Sequence, residues 1–194
     1  MTEQEWLQCT DPQIMLDFIF DRTSHRKIEL YTSGSYRCVW HLLDERVRNL
    51  MDVRERYFDG LATEAELDSA LKSGDEVPHQ LSLKAWDSIR PERQVQLLRD
   101  MFGNPFRPVS IDPAWLAPNV KFIAQTIYDE RRFTDMPSLL ADALLEAGCT
   151  SEAILNHCRQ PGEHFRGCWV VDLLLRKECK CPWCMTYSAT HSGP

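Results

Sequence analysis

Apolar residues recur along this chain at helical spacing, and several of these runs open with a recognisable helix start signal. Asp11 followed by Pro12 pairs an N-cap with proline at the first helical position, which predicts a helix over about 12–21. Thr63 and Glu66 have the spacing of a capping box, which starts another helix. No segment alternates apolar and polar residues over a strand-like length. The pattern predicts an all-α fold, an irregular bundle of about eight helices.

Further helix starts follow the same chemistry. Ser24 can cap a helix whose apolar residues continue as far as Leu43. Pro91 and Pro118 each stand where a new run of apolar positions begins. The apolar residues near the end of the chain predict a last helix over residues 165–175.

Two segments interrupt the helical pattern and suggest how the chain is organised. Residues 74–79 have the composition of a linker, so we place a possible sub-boundary there within a helical domain of residues 1–178. Two prolines and a glycine exclude a helix from the start of the stretch 103–111. We expect an ordered connector there, with Phe106 packed between helices. Residues 179–194 form a cysteine-bearing C-terminal tail.

Composition and charge narrow the function classes. The 194 residues include 22 Lys and Arg against 29 Asp and Glu, a net charge of −7, which argues against a nucleic-acid partner. No stretch approaches the ~20 apolar residues that span a bilayer, and the first residues carry no basic leader. We therefore expect a cytoplasmic protein that does not bind membranes. In the reducing cytoplasm, its eight cysteines are interpreted as free thiols or metal ligands in preference to disulfides.

Six stretches carry a distinctive pattern: EWLQCTDP at 5–12 followed by Met15 and Leu16, GNPFRPV at 103–109, LADAL at 140–144, EAGC at 146–149, HCR at 157–159 followed by Pro161, Gly162 and His164, and RGCWVVDLLL at 166–175. These stretches resemble a family of uncharacterised bacterial proteins. The resemblance covers most of the chain as far as Glu178 and implies a shared helical fold. It brings no known activity, substrate or catalytic residue.

The chain departs from the pattern of this family in two places. Residues 33–36 read SGSY where members of the family have small or cysteine-rich residues, so any role of those cysteines does not transfer. Members of the family also tend to stop soon after the last helix, whereas this chain adds CKCPWC at 179–184 and a polar tail.

The tail contains the first group of residues that could carry chemistry. Cys179, Cys181 and Cys184 place three thiols within six residues, and a Cys-x-x-Cys turn lets two sulfurs meet one tetrahedral ion. This spacing indicates a zinc site that needs a fourth ligand. The alternative is a disordered tail that happens to carry cysteines. The candidates for the fourth ligand are His191, which is the local choice, and His157, His164, Cys158 and Cys168.

A second group lies near the last predicted helix and comprises His157, Cys158, His164, Cys168 and Asp172. In a helix over 165–175, Cys168 and Asp172 would share one face, which His164 would extend by a turn. Such a face can hold a metal or orient a Cys–His pair for nucleophilic attack. The structural alternative makes Cys168 a small buried hydrophobe. It also makes Asp172 a buried carboxylate paired with a neighbouring arginine, the candidates being Arg159, Arg166 and Arg176.

Three function hypotheses follow. No catalytic motif is present, so the first is a non-enzymatic helical domain that acts through contact with an unidentified protein partner. The second is a small zinc-binding protein that uses the C-terminal cysteine cluster. The third is a hydrolase-like enzyme that uses Cys158 or Cys168 with a nearby histidine.

Overall fold

The computed structural model describes residues 1–75, 77, 84–134, 137–160 and 162–177. Within these ranges the chain contains no strand, and nine of its helices have seven residues or more. The predicted all-α class is confirmed. Among the same residues, every helix falls short of the length and apolarity that crossing a bilayer requires.

α-Helices make up most of the described part of the chain. In chain order they are α1 (Glu3–Gln8), α2 (Pro12–Phe20), α3 (His25–Arg37), α4 (Glu45–Phe58), α5 (Glu64–Asp75), α6 (Pro91–Phe102), α7 (Pro118–Asp129), α8 (Pro137–Glu146), α9 (Glu152–Arg159) and α10 (Trp169–Leu175). Trp40–Leu42 and Pro113–Trp115 form short 3-10 turns.

The chain divides into two compact units, named here for their place in the sequence. The terminal unit comprises Met1–Gln8 and Arg99–Lys177, and the described part of the central unit lies within Cys9–Leu98. The predicted sub-boundary near 74–79 falls where several residues lie outside the described part of the chain, as does the whole tail 179–194. Both of those assignments stay predictions.

Cap chemistry explains where several helices begin. The side chain of Asp11 accepts hydrogen bonds from the backbone N–H of Gln13 at 2.8 Å and of Ile14 at 3.3 Å, as the sequence predicts. Both reciprocal hydrogen bonds of the predicted capping box form at the start of α5. Glu66 accepts from the Thr63 N–H at 2.7 Å, and the Thr63 hydroxyl accepts from the Glu66 N–H at 3.2 Å. These bonds satisfy donors that a helix leaves without intrahelical partners.

Two predicted helix bounds are wrong. The helix capped by Ser24 ends at Arg37, and the chain then turns through Trp40–Leu42 instead of continuing to Leu43. The last helix begins at Trp169, not at residue 165, because Gly167 has φ 97°, in the left-handed region that a right-handed helix excludes.

The proline-rich connector is held by polar contacts with α1. Asn104 donates to the Glu3 carboxylate at 2.8 Å, and Arg107 pairs with the same carboxylate at 2.6 Å. Phe106 is 37% exposed, so the expectation that it packs between helices is wrong. The buried aromatic ring at the connector is Trp6, whose indole N–H donates to the carbonyl of Gly103 at 3.0 Å.

The core of the terminal unit lies among its last four helices. α8 packs against α7 and α9, and α10 packs against α7 and α9. The residues that fill this core include Val120, Ile127, Tyr128, Leu140, Leu144, Ile154, Val170 and Leu174. Their burial fixes the positions of α9, which carries His157, and of α10, which follows directly after Cys168.

The central unit contains a buried ion pair between α3 and the residue that follows α4. The Nε of Arg26 donates to Oδ1 of Asp59 at 2.9 Å, and both side chains are almost completely buried. A buried charge left without its partner costs several kcal/mol, far more than a surface pair contributes.

We expect Arg26→Ala to lower the free energy of unfolding by about 3 kcal/mol or more, because it removes the guanidinium that pairs with the buried Asp59 carboxylate. Urea unfolding followed by circular dichroism measures the loss. Arg56→Ala is the matched control, since Arg56 pairs with Glu66 at 3.2 Å with both side chains nearly half exposed. The control should cost less than about 1 kcal/mol. Equal losses in the two variants would contradict the prediction.

Candidate metal centre

Four buried side chains converge within the terminal unit. They are Asp100, His157, His164 and Cys168, none of which is more than 8% exposed. Each offers one potential ligand atom, and these four atoms all lie within 4.8 Å of one another. Buried polar atoms are expensive unless they are paired, so this group within an apolar core indicates a specific role. It can hold a metal ion.

Three separate parts of the chain bring these residues together. Asp100 lies near the end of α6, His157 lies on α9, and Cys168 is the residue that precedes α10. The segment between α9 and α10 is bonded to Asp100, because the backbone N–H of Phe165 donates to Oδ2 of Asp100 at 2.8 Å. The positive φ of Gly167 then lets the chain turn so that Cys168 reaches the cluster.

The distances between the four ligand atoms are close to those around a tetrahedral ion. Nδ1 of His164 lies 2.6 Å from Oδ1 of Asp100, and Nε2 of His157 lies 3.2 Å from the same oxygen. Sγ of Cys168 lies 3.2 Å from Nε2 of His157 and 3.8 Å from Nδ1 of His164. Four ligands at about 2.1 Å from a tetrahedral ion are about 3.4 Å apart. To hold an ion, the shortest contact of 2.6 Å has to widen and the longest separation, up to 4.8 Å, has to shorten.

The same contacts do not match a nucleophilic triad. In a triad the histidine uses one ring nitrogen for the nucleophile and the other for the carboxylate. Here His157 presents a single nitrogen, Nε2, to both Asp100 and Cys168. His164 likewise presents only Nδ1 to the same two residues. Donor atoms that converge on one point are arranged for an ion and not for proton transfer along a line.

Charge within the cluster is set by Asp100. Burial alone works to raise the pKa of this carboxyl, but its hydrogen bonds with His157 and His164 outweigh burial and lower the pKa below the usual range. Burial, together with the negative charge of Asp100, raises the pKa of the Cys168 thiol well above its ordinary value. Without an ion, the group thus holds a carboxylate and a neutral thiol. A coordinated cation would deprotonate that thiol.

The ring of His157 has further partners on its other side. The side-chain amide of Gln160 lies 3.1 Å from Nδ1, and the Trp169 ring centroid lies 5.1 Å from that of the imidazole. An amide can present either its oxygen or its nitrogen to a ring. With its oxygen toward Nδ1, the amide accepts a hydrogen bond from the Nδ1–H, and Nε2 then carries the lone pair that can bind an ion.

The structure brings together three of the five residues that the sequence singled out near the last helix. His157, His164 and Cys168 belong to the cluster, but His164 and Cys168 meet through a turn and not along one face of a helix. Cys158 and Asp172 do not belong to the cluster. Both are buried, and for Asp172 the sequence predicted this. Burial and the nearby Asp100 carboxylate raise the pKa of Cys158 to about 12.

The sequence reasoning missed Asp100. A signal was present, because this carboxylate lies close in sequence to Leu97, Leu98 and Met101, all of which are fully or nearly fully buried. The predicted tail ligands Cys179, Cys181, Cys184 and His191 lie outside the described residues, so the tail zinc site stays a prediction.

No protein-family model, curated protein or solved structure matches this chain. The resemblance to a bacterial family described above therefore stays a prediction. Function is therefore inferred from the residues of the cluster themselves.

We expect Cys158 and Cys168 to resist iodoacetamide at pH 8 in the folded protein, because both thiols are buried and have raised pKa values. Cys9 is partly exposed and serves as the internal control that should react. Peptide mass spectrometry after timed labelling measures each site, and all three should react once urea and a chelator are added. Labelling of Cys158 or Cys168 at the rate of Cys9 would instead support the hydrolase hypothesis.

Proposed function

We propose that this chain is a zinc-binding protein whose ion is held by Asp100, His157, His164 and Cys168. The observation that carries the proposal is the convergence of four buried ligand atoms, all within 4.8 Å of one another. These four residues replace the tail cysteines as the main candidate ligands. The hypothesis that the chain is a small zinc-binding protein is retained.

The ligand types favour zinc over other common ions. Two imidazoles with one thiolate suit Zn²⁺, whereas Mg²⁺ and Ca²⁺ prefer sites made entirely of oxygen atoms. The net charge of the ligands also favours a divalent ion. A dication with one carboxylate, one thiolate and two neutral imidazoles has no net charge, which removes much of the cost of burying it. Zinc binding then releases the thiol proton of Cys168, so affinity falls as pH falls.

A structural role for the ion fits better than a catalytic one. A catalytic zinc usually keeps a position open for water or substrate, whereas four protein ligands fill a tetrahedral shell. The ligands come from the end of α6, from α9 and from the segment that leads into α10. An ion at this place cross-links parts of the terminal unit that are far apart in sequence. Action through a protein partner stays a prediction beside this role.

Metal analysis of the full-length chain tests the proposal. The triple variant Cys179→Ser/Cys181→Ser/Cys184→Ser, purified from cells grown with ample zinc, should keep about one zinc per chain, because its cluster is intact. Adding Cys168→Ser to this variant should lower the zinc content roughly tenfold or more, since one ligand is lost. Adding Cys158→Ser instead is the matched control, a buried thiol outside the cluster, and it should leave the zinc content unchanged.

Cobalt substitution gives a readout of the ligands themselves. The triple variant loaded with Co²⁺ should show thiolate-to-metal charge-transfer absorption that disappears with Cys168→Ser. A triple variant without zinc or cobalt would overturn the proposal and leave the tail as the candidate site. Copper or iron in place of zinc would overturn the identity of the ion.

A further inference from the structure

A cavity of about 540 Å³ lies in the terminal unit beside the metal cluster. Every residue that lines it belongs to that unit. Its volume lies within the range of about 300–1,000 Å³ typical of sites for small molecules. His157 belongs both to the wall of the cavity and to the cluster, so the cavity adjoins the candidate metal centre.

Two indole rings form much of the apolar wall. Trp6 is fixed by the hydrogen bond from its indole N–H to the Gly103 carbonyl. Trp169 lies directly against Gly103, where an added Cβ would come within 3.2 Å of its ring. Gly103 has φ 60°, a conformation that favours glycine, so the backbone itself holds the two rings in place. Trp6 is completely buried and Trp169 is partly exposed, so a flat aromatic ligand can stack on the Trp169 ring.

The charged residues of the wall favour an anion. Among the described residues that line the cavity, Arg99 and Arg107 are charged, and none is Asp or Glu. Arg99 is held in position because it donates to the carbonyls of Trp6 at 3.3 Å and Leu7 at 2.9 Å. Arg107 pairs with Glu3, a residue outside the lining. Two guanidinium groups at one wall can bind a carboxylate through charge-assisted hydrogen bonds. Carboxamides of Asn104, Asn156 and Gln160 add hydrogen-bonding groups.

We propose that this cavity binds a small flat aromatic molecule that carries an anionic group such as a carboxylate. The ring of Trp169 contacts its aromatic part, and the two arginines attract its charge. This site adjoins the four-residue cluster through His157 and contains none of the other three cluster residues.

A matched pair of fluorescent probes tests the proposal on the full-length protein. The anionic probe is 1-anilinonaphthalene-8-sulfonate, and N-phenyl-1-naphthylamine has the same aromatic skeleton without the charge. Excitation of tryptophan should transfer energy to the bound probe because Trp6 and Trp169 line the cavity. We expect saturable binding of one anionic probe per chain, about tenfold tighter than that of the neutral probe, which corresponds to about 1.4 kcal/mol.

Variants that block the cavity test whether the probe binds there. Ala153→Phe puts a ring into the wall from an exposed position on α9, and it should weaken binding of both probes at least tenfold. Asn156→Phe does the same from a second exposed position on that wall, in case the first variant fails to fold. Leu145→Phe is the control, because it adds a ring at an exposed apolar position outside the cavity, and it should change neither affinity.

A charge variant tests the class of ligand. Arg107→Gln should weaken the anionic probe several-fold and leave the neutral probe unchanged, because it removes one positive charge from the wall. Equal affinity for the two probes would overturn the anionic class. Unchanged binding in folded Ala153→Phe and Asn156→Phe would overturn the cavity as the site. Zinc content is measured separately on the same samples, so failure of this proposal and failure of the zinc proposal are distinguishable.

Discussion

The carboxylate of Asp100 has three partners inside the apolar terminal unit, and the arrangement of the site depends on them. Its Oδ1 lies next to one ring nitrogen of each histidine, and its Oδ2 accepts the backbone N–H of Phe165. The last of these bonds fixes the segment that leads into α10. A buried carboxylate that lost these partners would carry a large desolvation cost, so the three contacts reinforce one another.

That constraint also explains why the last helix starts late. A helix from residue 165 would place Gly167 in the helical region and turn Cys168 along the helix face. Instead the Phe165 N–H is bonded to Asp100, Gly167 has a positive φ, and Cys168 faces the two imidazoles. The last helix therefore starts at Trp169, and the Cys168 thiol lies in the cluster. Under the proposed function, that thiol becomes a zinc ligand.

His157 connects the two sites of the terminal unit. One side of its ring faces Asp100 and Cys168, and the same residue forms part of the cavity wall next to Trp169. Trp6, from the opposite end of the chain, completes that wall through its bond to Gly103. The cavity therefore exists only because segments far apart in sequence fold into one unit.

Local chemistry was readable from the sequence by itself. The caps at Asp11 and Thr63 and the absence of alternating patterns determined the helical class and several helix starts, because those signals act within four residues of one another. The convergence of Asp100 with His157, His164 and Cys168 was decided only by tertiary structure. Asp100 lies 64 positions from His164, and helix periodicity carries no information across such a distance. Packing of the helices and the turn at Gly167 brought these atoms together, because only burial in a shared core fixes the distances between separate parts of a chain.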